Sequence, residues 1–595
     1  MEELQSYTYD VLVIGAGGAG LRAAIEAASQ GARVGLVSKS LLGKAHTVMA
    51  EGGIAAALGN VHSEDSWQAH FRDTMRGGKL LNNWRMAHVY AQEAPERVME
   101  LERWGAVFDR TPDGKISQRA FGGHSYNRLA HVGDRTGLEM LRTLQDQAVY
   151  RGIEVHMECI IHTLLRDGAR VSGAIGRLRA TGGFVLFKAR AVVLATGGLG
   201  RLYKITSNSW ECTGDGFALA SLAGADLIDM EFIQFHPTGM VWPPGVIGLL
   251  VTEGVRGDGG VLKNSRGERF MFRYVPEMFK GEYADTEEEA QRWLKGDGAA
   301  RRPPDLLTRD VVAKAIMQEG REGRATPHGG AYLDIASQRS SDFIKSRLPS
   351  MYRQFKELAN VDITRESMEV GPTCHYMMGG IRVDPETQAT TVDGLYAAGE
   401  VAAGLHGSNR LGGNSLSDLL VFGKRAGLYA TEHANKQRGE PVADEAQISQ
   451  AMQEMLAPFQ SSGEEGPFDV LRDLRETMQQ YVGIIRNEGD VKKGLEAISR
   501  LKDRAGRVRV TGTREYNPGW DTALQLPLML TTAEAVALAA LERRESRGAH
   551  TREEYPGSDD AFSKVNFVVR RSGEGFLVVK EPLPEMPQDI KKLVE

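Results

Sequence analysis

Cysteine is scarce in this 595-residue chain: Cys159, Cys212 and Cys374 are the only three. An odd, widely spaced trio excludes a disulfide framework, a paired zinc-ligand spacing and the four thiolates of an iron–sulfur cluster, and it points to a reducing compartment. A large excess of one charge is also lacking. The formal net charge of −6 gives no overall electrostatic reason to bind nucleic acid or an anionic membrane, so an anionic ligand needs a dedicated pocket. No apolar run approaches the roughly 20 residues that span a bilayer. Met1 to Tyr7 lacks the basic start and apolar core of a secretion signal. If the chain works at a membrane, another chain holds it there. Internal repeats and low-complexity tracts are missing as well.

What the chain has in excess is glycine, 69 residues against an average usage of about 7%. These glycines cluster, as they do where backbone approaches a large cofactor. With 42% apolar and 25% charged residues, the composition is that of a globular protein with room for two or three domains. Tyr9 to Ile14 is an apolar run ending in Gly15-Ala-Gly-Gly-Ala-Gly20. Helical spacing follows over Leu21 to Gln30, and a second strand over Ala32 to Val37. In a Gly15-x-Gly17-x-x-Gly20 turn the glycines permit a tight bend, close approach to a pyrophosphate and tight helix packing. The second strand ends in Val37-Ser38-Lys39, without the acidic residue that a plain NAD site places on the ribose. Taken alone, Asp10 and Lys39 read as capping or solvated groups.

Further strand signals at Ala191 to Ala195, ending in Thr196-Gly197-Gly198, and at Gly394 to Glu400 place one nucleotide-binding domain on both sides of an insertion. The insertion opens at Trp242-Pro-Pro-Gly245, and strand signals resume near Gly379 to Val383; its stretch 281–305 is a polar, solvated excursion. Helical patterns over Gln447 to Leu456, Asp469 to Tyr481, Gly494 to Ala505 and Thr531 to Arg547 suggest a separate bundle. Ser563 to Val569 and Gly575 to Val579 suggest a hairpin. The expected fold class is α/β: a Rossmann-like domain (1–239 and 366–435) interrupted by an α+β domain (240–365), then a helical domain (436–550) and a small C-terminal domain (551–595).

The segment from His406 to Leu416, His-Gly-Ser-Asn-Arg-Leu-Gly-Gly-Asn-Ser-Leu, sets Arg410 among small and amide residues that offer it no carboxylate. Four other segments place cations, imidazoles and hydroxyls beside glycine: Gln234-Phe-His-Pro-Thr-Gly239, Thr252-Glu-Gly-Val-Arg-Gly257, Thr308-Arg-Asp-Val-Val312 and Thr373-Cys-His-Tyr-Met-Met-Gly-Gly380. Singly, each is more often structural than functional. Jointly, His236, Thr252, Arg309, His375 and Arg410 suit two carboxylates, because guanidinium forks and imidazoles match such anions.

With these motifs the chain resembles the flavoprotein subunit of succinate dehydrogenase and fumarate reductase, from Tyr9 to about Asp559 and including Arg543-Arg-Glu-Ser-Arg-Gly-Ala-His550-Thr-Arg552. The resemblance implies that His46, in Ala45-His-Thr-Val, carries FAD covalently through its imidazole. It implies further FAD contacts from Gly15, Gly17, Gly18, Gly20, Ser38, Lys39, Thr47, Gly52, Gly53, Ala195, Thr196, Gly197, Asp215, Glu400, Ser415 and Leu416. Residues 240–365 become a mobile cap over the active site. Succinate and fumarate are the implied substrates, with one hydrogen passing as hydride at the flavin and the other as a proton on the opposite face. Phe121, His236, Thr252, His375 and Arg410 are implied to hold the dicarboxylate. Arg309 is implied as proton acceptor or donor, with Glu253 and Arg256 as its proton pathway. Arginine is an unusual acid–base group, since its ordinary pKa exceeds about 12; burial beside a second guanidinium disfavours the charged form.

The resemblance also implies quinone-handling membrane anchors and an iron–sulfur subunit as partners. The chain is then peripheral at the cytoplasmic face of the cell membrane, with no span of its own, no nucleic acid and no metal. L-Aspartate oxidase shares the fold and most motifs but binds FAD noncovalently and lacks the histidine, so His46 argues against it. Glu51 resembles the fumarate reductase members, where many succinate dehydrogenases have glutamine, and so keeps the reverse direction open beside succinate oxidation.

Overall fold

The apolar run near the start of the chain forms a strand, Leu4–Ile14, that begins earlier than its hydrophobic pattern suggests. Residues Leu4 to Tyr9 are held because they pair in parallel with Phe184 to Ala189. The computed structural model describes residues 4–573 and 575–595 of the protein. The main sheet runs in the order Glu154–His156, Val34–Val37, Leu4–Ile14, Phe184–Leu194, Arg170–Leu178, Cys159–Asp167, and Leu395–Ala397 pairs alongside the C-terminal half of Phe184–Leu194. The first four strands and Leu395–Ala397 are parallel neighbours, and the last two turn back antiparallel.

The helix Gly18–Ser29 crosses from the first strand to the second, and it starts three residues earlier than its alanine-rich pattern indicates. Glycine at positions 15 and 20 makes that start possible. Gly15 has φ +112°, and a Cβ on Gly20 would lie 1.7 Å from the Gly15 carbonyl oxygen. Gly20→Ala must therefore push the helix off the strand, with an expected cost of about 1–3 kcal/mol or more. Thermal melting and the flavin content of the purified variant check this; wild-type values for both would show that the helix tolerates the shift.

The insertion has a core of its own, running from Met240 to Val370 and including Val255, Leu333 and Phe355. Strand structure resumes at Met368–Met377, well before Gly379. Gly371 and Pro372 break the apparent pattern there, yet the strand pairs antiparallel with Ile233–Met240 across two register shifts. The chain thus enters and leaves the insertion on two paired strands. These continue through Ala331–Asp334 to Val261–Lys263.

The late helices are Glu445–Gln460, Pro467–Tyr481, Glu488–Ala505 and Pro518–Glu542. The last three pack on one another as a helical unit, and the buried faces of all four join one continuous core with the main sheet. The last of them starts at Pro518 rather than Thr531; over 25 residues it is long and apolar enough to cross a membrane by length and composition alone, but 78% of its apolar window is buried inside the protein, as in a core helix. The hairpin Val565–Ser572 and Gly575–Pro582 adds to Leu227–Ile228 of the nucleotide-binding part, so it is joined to that part by a sheet. Arg543, buried with Glu231, Asp229 and Glu545, fastens the segment before the hairpin to the same region.

Candidate active site

Four of the five parallel strands end at Ile14, Val37, Leu194 and Ala397, and the next residue of each, Gly15, Ser38, Ala195 and Ala398, lines one cavity. A crevice at the carboxyl ends of parallel strands is the expected ligand position in such sheets. Along its dinucleotide half lie Gly17, Gly18, Lys39, Thr47, Gly197, Asp215, Glu400, Ser415 and Leu416. Lys39 is not solvated: its Nζ is 2.6 Å from Asp215 Oδ2 and donates to Thr213 Oγ1 at 2.9 Å. Asp10 does act at the surface, accepting from the Arg33 backbone N–H at 2.8 Å. Glu400 accepts from the Met377 N–H at 2.9 Å, and burial pushes its carboxyl up to about 7.

His46, Gly52, Gly53 and Phe121 carry the cavity toward its second half. His46 opens a short helical turn, His46–Met49, and burial pushes its imidazole down to about 4, which keeps it neutral. Phe121 packs against Gly52 and Gly412, where a Cβ would lie 2.9 and 2.4 Å from its ring.

The second half is lined by His236, Thr252, Glu253, Arg309, His375 and Arg410. The two paired strands bring His236 and His375 together, with ring centroids 5.1 Å apart and edge-on. Burial, and then Arg309, drive both imidazoles well below their usual range, so both are neutral. Arg309 begins the helix Arg309–Arg321 of the insertion. Its Nε donates to Glu253 Oε2 at 2.9 Å, and Nη1 donates to Gln234 Oε1 at 3.1 Å. Arg410 stacks on Tyr376 with Cζ 4.0 Å from the ring centre; its Nη1 donates to Ser415 Oγ at 2.7 Å and its Nη2 to Gln234 Oε1 at 3.1 Å. Its Nε is buried without a partner, and burial pushes the group down to about 10.

Burial raises the Glu253 carboxyl, but Arg309 and then Arg256 outweigh it and hold the group below its ordinary range. Two of the expected residues do not line the cavity. Gly20 serves the helix–strand contact, and Arg256 sits behind Glu253, with Nη2 3.8 Å from Oε2 and Nη1 donating to the Asp305 carbonyl at 2.6 Å. Gln234 has a role that its sequence position does not suggest. Its side-chain oxygen bridges Arg309 and Arg410 while its amide nitrogen donates to Asn409 Oδ1 and the Arg410 carbonyl. The motif holding His236 contains it, but only the fold shows which way it turns. Ser207 and Tyr376 also line the cavity unforeseen.

Three buried guanidinium groups, Arg256, Arg309 and Arg410, stand in or just behind this half with one ionised carboxylate, Glu253. Three positive charges less one negative leave two, which suits a dianion. Glu51 does not alter the balance. Burial and then Asp134 push its carboxyl up to about 8, so it is protonated at neutral pH. An acid whose folded pKa is raised binds its proton more tightly in the folded state, so the associated stability is present below the ordinary carboxyl range and is lost as pH rises toward 8. In FAD-free protein, Glu51→Gln should flatten the fall in melting temperature between pH 5 and 8; an unchanged slope would mean other groups carry it.

A nucleotide crevice that opens into a capped, dicationic compartment defines a flavin-dependent oxidoreductase acting on a small dianion. The family model for an FAD binding domain matches residues 10–416, and that for the fumarate reductase flavoprotein C-terminus matches residues 471–587. The chain belongs to the flavoprotein family of succinate dehydrogenases and fumarate reductases. Against the succinate dehydrogenase flavoprotein subunit of Coxiella burnetii the identity is 39%, over 96% of each chain. Against the fumarate reductase flavoprotein subunit of Mycobacterium tuberculosis it is 37%, again over 96% of each. The solved structure of Mycobacterium smegmatis Sdh1 in complex with UQ1 superposes with TM-score 0.87 at 55% identity, over 98% of this chain and 96% of that one.

FAD fits the residues present. The helix Gly18–Ser29 starts without a capping side chain at Gly17, and an added Cβ there would meet only Thr47 and Ala45. The Thr196 hydroxyl, on the cavity wall, is buried with no partner, as a group awaiting a polar ligand would be.

Proposed function

We propose that this chain is the catalytic subunit that interconverts succinate and fumarate, with FAD attached through His46. The observation that carries the reading is the surplus of two positive charges in and just behind the compartment beside the FAD crevice. Bound FAD supplies the two-electron acceptor or donor for the hydrogen that passes as hydride. Arg410, Thr252, His236 and His375 hold the two carboxylates; neutral imidazoles offer hydrogen bonds without adding charge. Arg309 holds or moves the proton, fixed by Glu253 on one side and Gln234 on the other. Glu253 and Arg256 lead away from it within the insertion, a chain of ionisable groups suited to proton exchange with solvent. Phe121 closes the wall and helps exclude water. Capping by residues 240–365 is supported by their separate core and by the position of Arg309 on their helix.

The working direction is succinate oxidation. Fumarate reduction is the second reading, favoured by Glu51 on the cavity wall. Onward electron transfer from the flavin belongs to partners. Those partners are membrane anchors that handle quinone and an iron–sulfur subunit, which place this chain peripherally at the cytoplasmic face of the membrane. The related Sdh1, solved in complex with UQ1, supports this assembly.

The test is a denaturing gel viewed for flavin fluorescence, followed by assay with succinate, fumarate and L-aspartate using artificial electron carriers. A fluorescent band with succinate or fumarate turnover is expected. A dark band with aspartate oxidation would overturn the assignment.

A further inference from the structure

Between the glycine turn after Ala195 and the helix Asp215–Leu222 lies a short bend whose residues serve neither strand nor helix. Within it, Ser207 and Asn208 are buried, at 7% and 3% exposure. Ser207 Oγ is 2.8 Å from His375 Nδ1. Asn208 Nδ2 donates to the His375 carbonyl at 2.8 Å and lies 3.2 Å from His46 Nε2. The next residue, Ser209, donates its backbone N–H to His46 Nδ1 at 3.2 Å. Three consecutive residues thus touch both the histidine assigned to FAD and a histidine assigned to the dicarboxylate.

The orientation of the Asn208 amide is not free. Its Oδ1 accepts the Gly200 backbone N–H at 3.1 Å, so the nitrogen must be the end that faces His46 and the His375 carbonyl. The bend is held in turn by its own chain, because the Asn208 N–H donates to Thr206 Oγ1 at 3.1 Å and Thr206 Oγ1 donates to the Cys374 carbonyl at 3.0 Å. His46 consequently meets a donor at each ring nitrogen. A doubly protonated imidazole would have no acceptor for either N–H, whereas an unprotonated ring nitrogen has a partner waiting. A neutral ring has one N–H and one lone pair, so one of the two donors hydrogen-bonds it at a time, and with either one engaged a second ring proton would find no acceptor, which keeps a lone pair of the kind that bonds to carbon.

We propose that Ser207, Asn208 and Ser209 are positioning residues that hold His46 and His375 in one frame: the Asn208 amide and Ser209 N–H keep His46 neutral and aimed for attachment to FAD, and the Ser207 hydroxyl orients His375 toward the dicarboxylate. This rests on the covalent reading of His46. Attachment balances without an outside oxidant. The imidazole N–H and one C–H of a flavin methyl group break, an N–C bond forms, and the two electrons and two hydrogens remain on the flavin ring, which is reduced.

The two ends of the bend are separable by experiment. Asn208→Ala should slow covalent attachment of FAD to the full-length chain by about 2–10-fold, the worth of one hydrogen bond, as read from gel fluorescence against time after FAD addition. Ser207→Ala should raise KM for succinate by a similar factor, with kcat and attachment rate less affected, and Ser207→Thr should recover it. Asn208→Asp keeps the shape and the Gly200 bond while replacing the donor at His46 with an acceptor, and it should attach FAD more slowly still; it carries the test if Asn208→Ala does not accumulate. Melting temperature and noncovalently bound FAD monitor folding. Wild-type attachment rates in both Asn208 variants, or equal losses of attachment and KM in the Asn208 and Ser207 variants, would overturn the proposal. A dark wild-type band would overturn the covalent reading instead.

Discussion

Arg309→Lys is expected to lower turnover with succinate and fumarate by about 10²–10⁴-fold, the range that a positioned acid–base group contributes. FAD content and dicarboxylate binding should largely remain. The guanidinium uses two nitrogens in fixed directions, toward Glu253 at 2.9 Å and toward Gln234 at 3.1 Å, and keeps its remaining edge against Gly412, where an added Cβ would lie 3.0 Å from Nη2. A lysine ammonium on a flexible stem cannot satisfy both acceptors and still present a donor in a set direction. Arg410, Thr252 and the two imidazoles are untouched, so the ligand should still perturb the flavin absorption spectrum on titration. Steady-state rates with an artificial carrier, alongside that titration, make the comparison. Turnover within a few-fold of wild type would mean that another group moves the proton.

The second large effect is expected from His46→Ser. The fluorescent band on a denaturing gel should vanish, while native protein keeps noncovalent FAD. Retention follows because the glycine crevice, the Lys39–Asp215 pair and the buried Thr196 hydroxyl do not depend on His46. Losing the bond to an imidazole should lower the flavin potential, and for a two-electron couple each 30 mV or so shifts the equilibrium about tenfold. Succinate oxidation should therefore weaken more than fumarate reduction. Equal loss in both directions, or none in either, would show that the bond anchors the cofactor without tuning it.

Much of the cofactor crevice is legible in the sequence because its parts are local. A strand, a glycine turn and a helix start occupy one short stretch, and Gly15, Gly17 and Thr196 each lie within three residues of a strand end. The cation cluster is legible only as a set of residue types, since Arg309, Arg410, His236 and His375 come from distant segments and nothing in their spacing states that they meet. Gln234 illustrates the limit. Its amide oxygen joins two arginines from different elements, and no pattern of period 2 or 3.6 encodes that contact. The Asn208 bend shows the same thing in a segment whose residues look like an ordinary turn. Lys39 misleads in isolation because its partner Asp215 lies 176 positions away in the chain. The strand Met368–Met377 escapes a reading by pattern because Gly371 and Pro372 disguise it, and pairing with Ile233–Met240 overrides them.

By itself, then, the sequence determined the nucleotide-binding unit, the interruption of that unit and the inventory of groups able to bind a dianion, because these depend on local periodicity, glycine geometry and side-chain chemistry. Tertiary structure alone decided that Arg256 stands behind the cavity and Glu253 within it, that two imidazoles lie edge to face and stay neutral, and that the late helices extend the main core. Those outcomes depend on burial and on contacts between residues far apart in the chain: burial keeps the imidazoles neutral, while Arg309 and Arg256 keep Glu253 ionised against it.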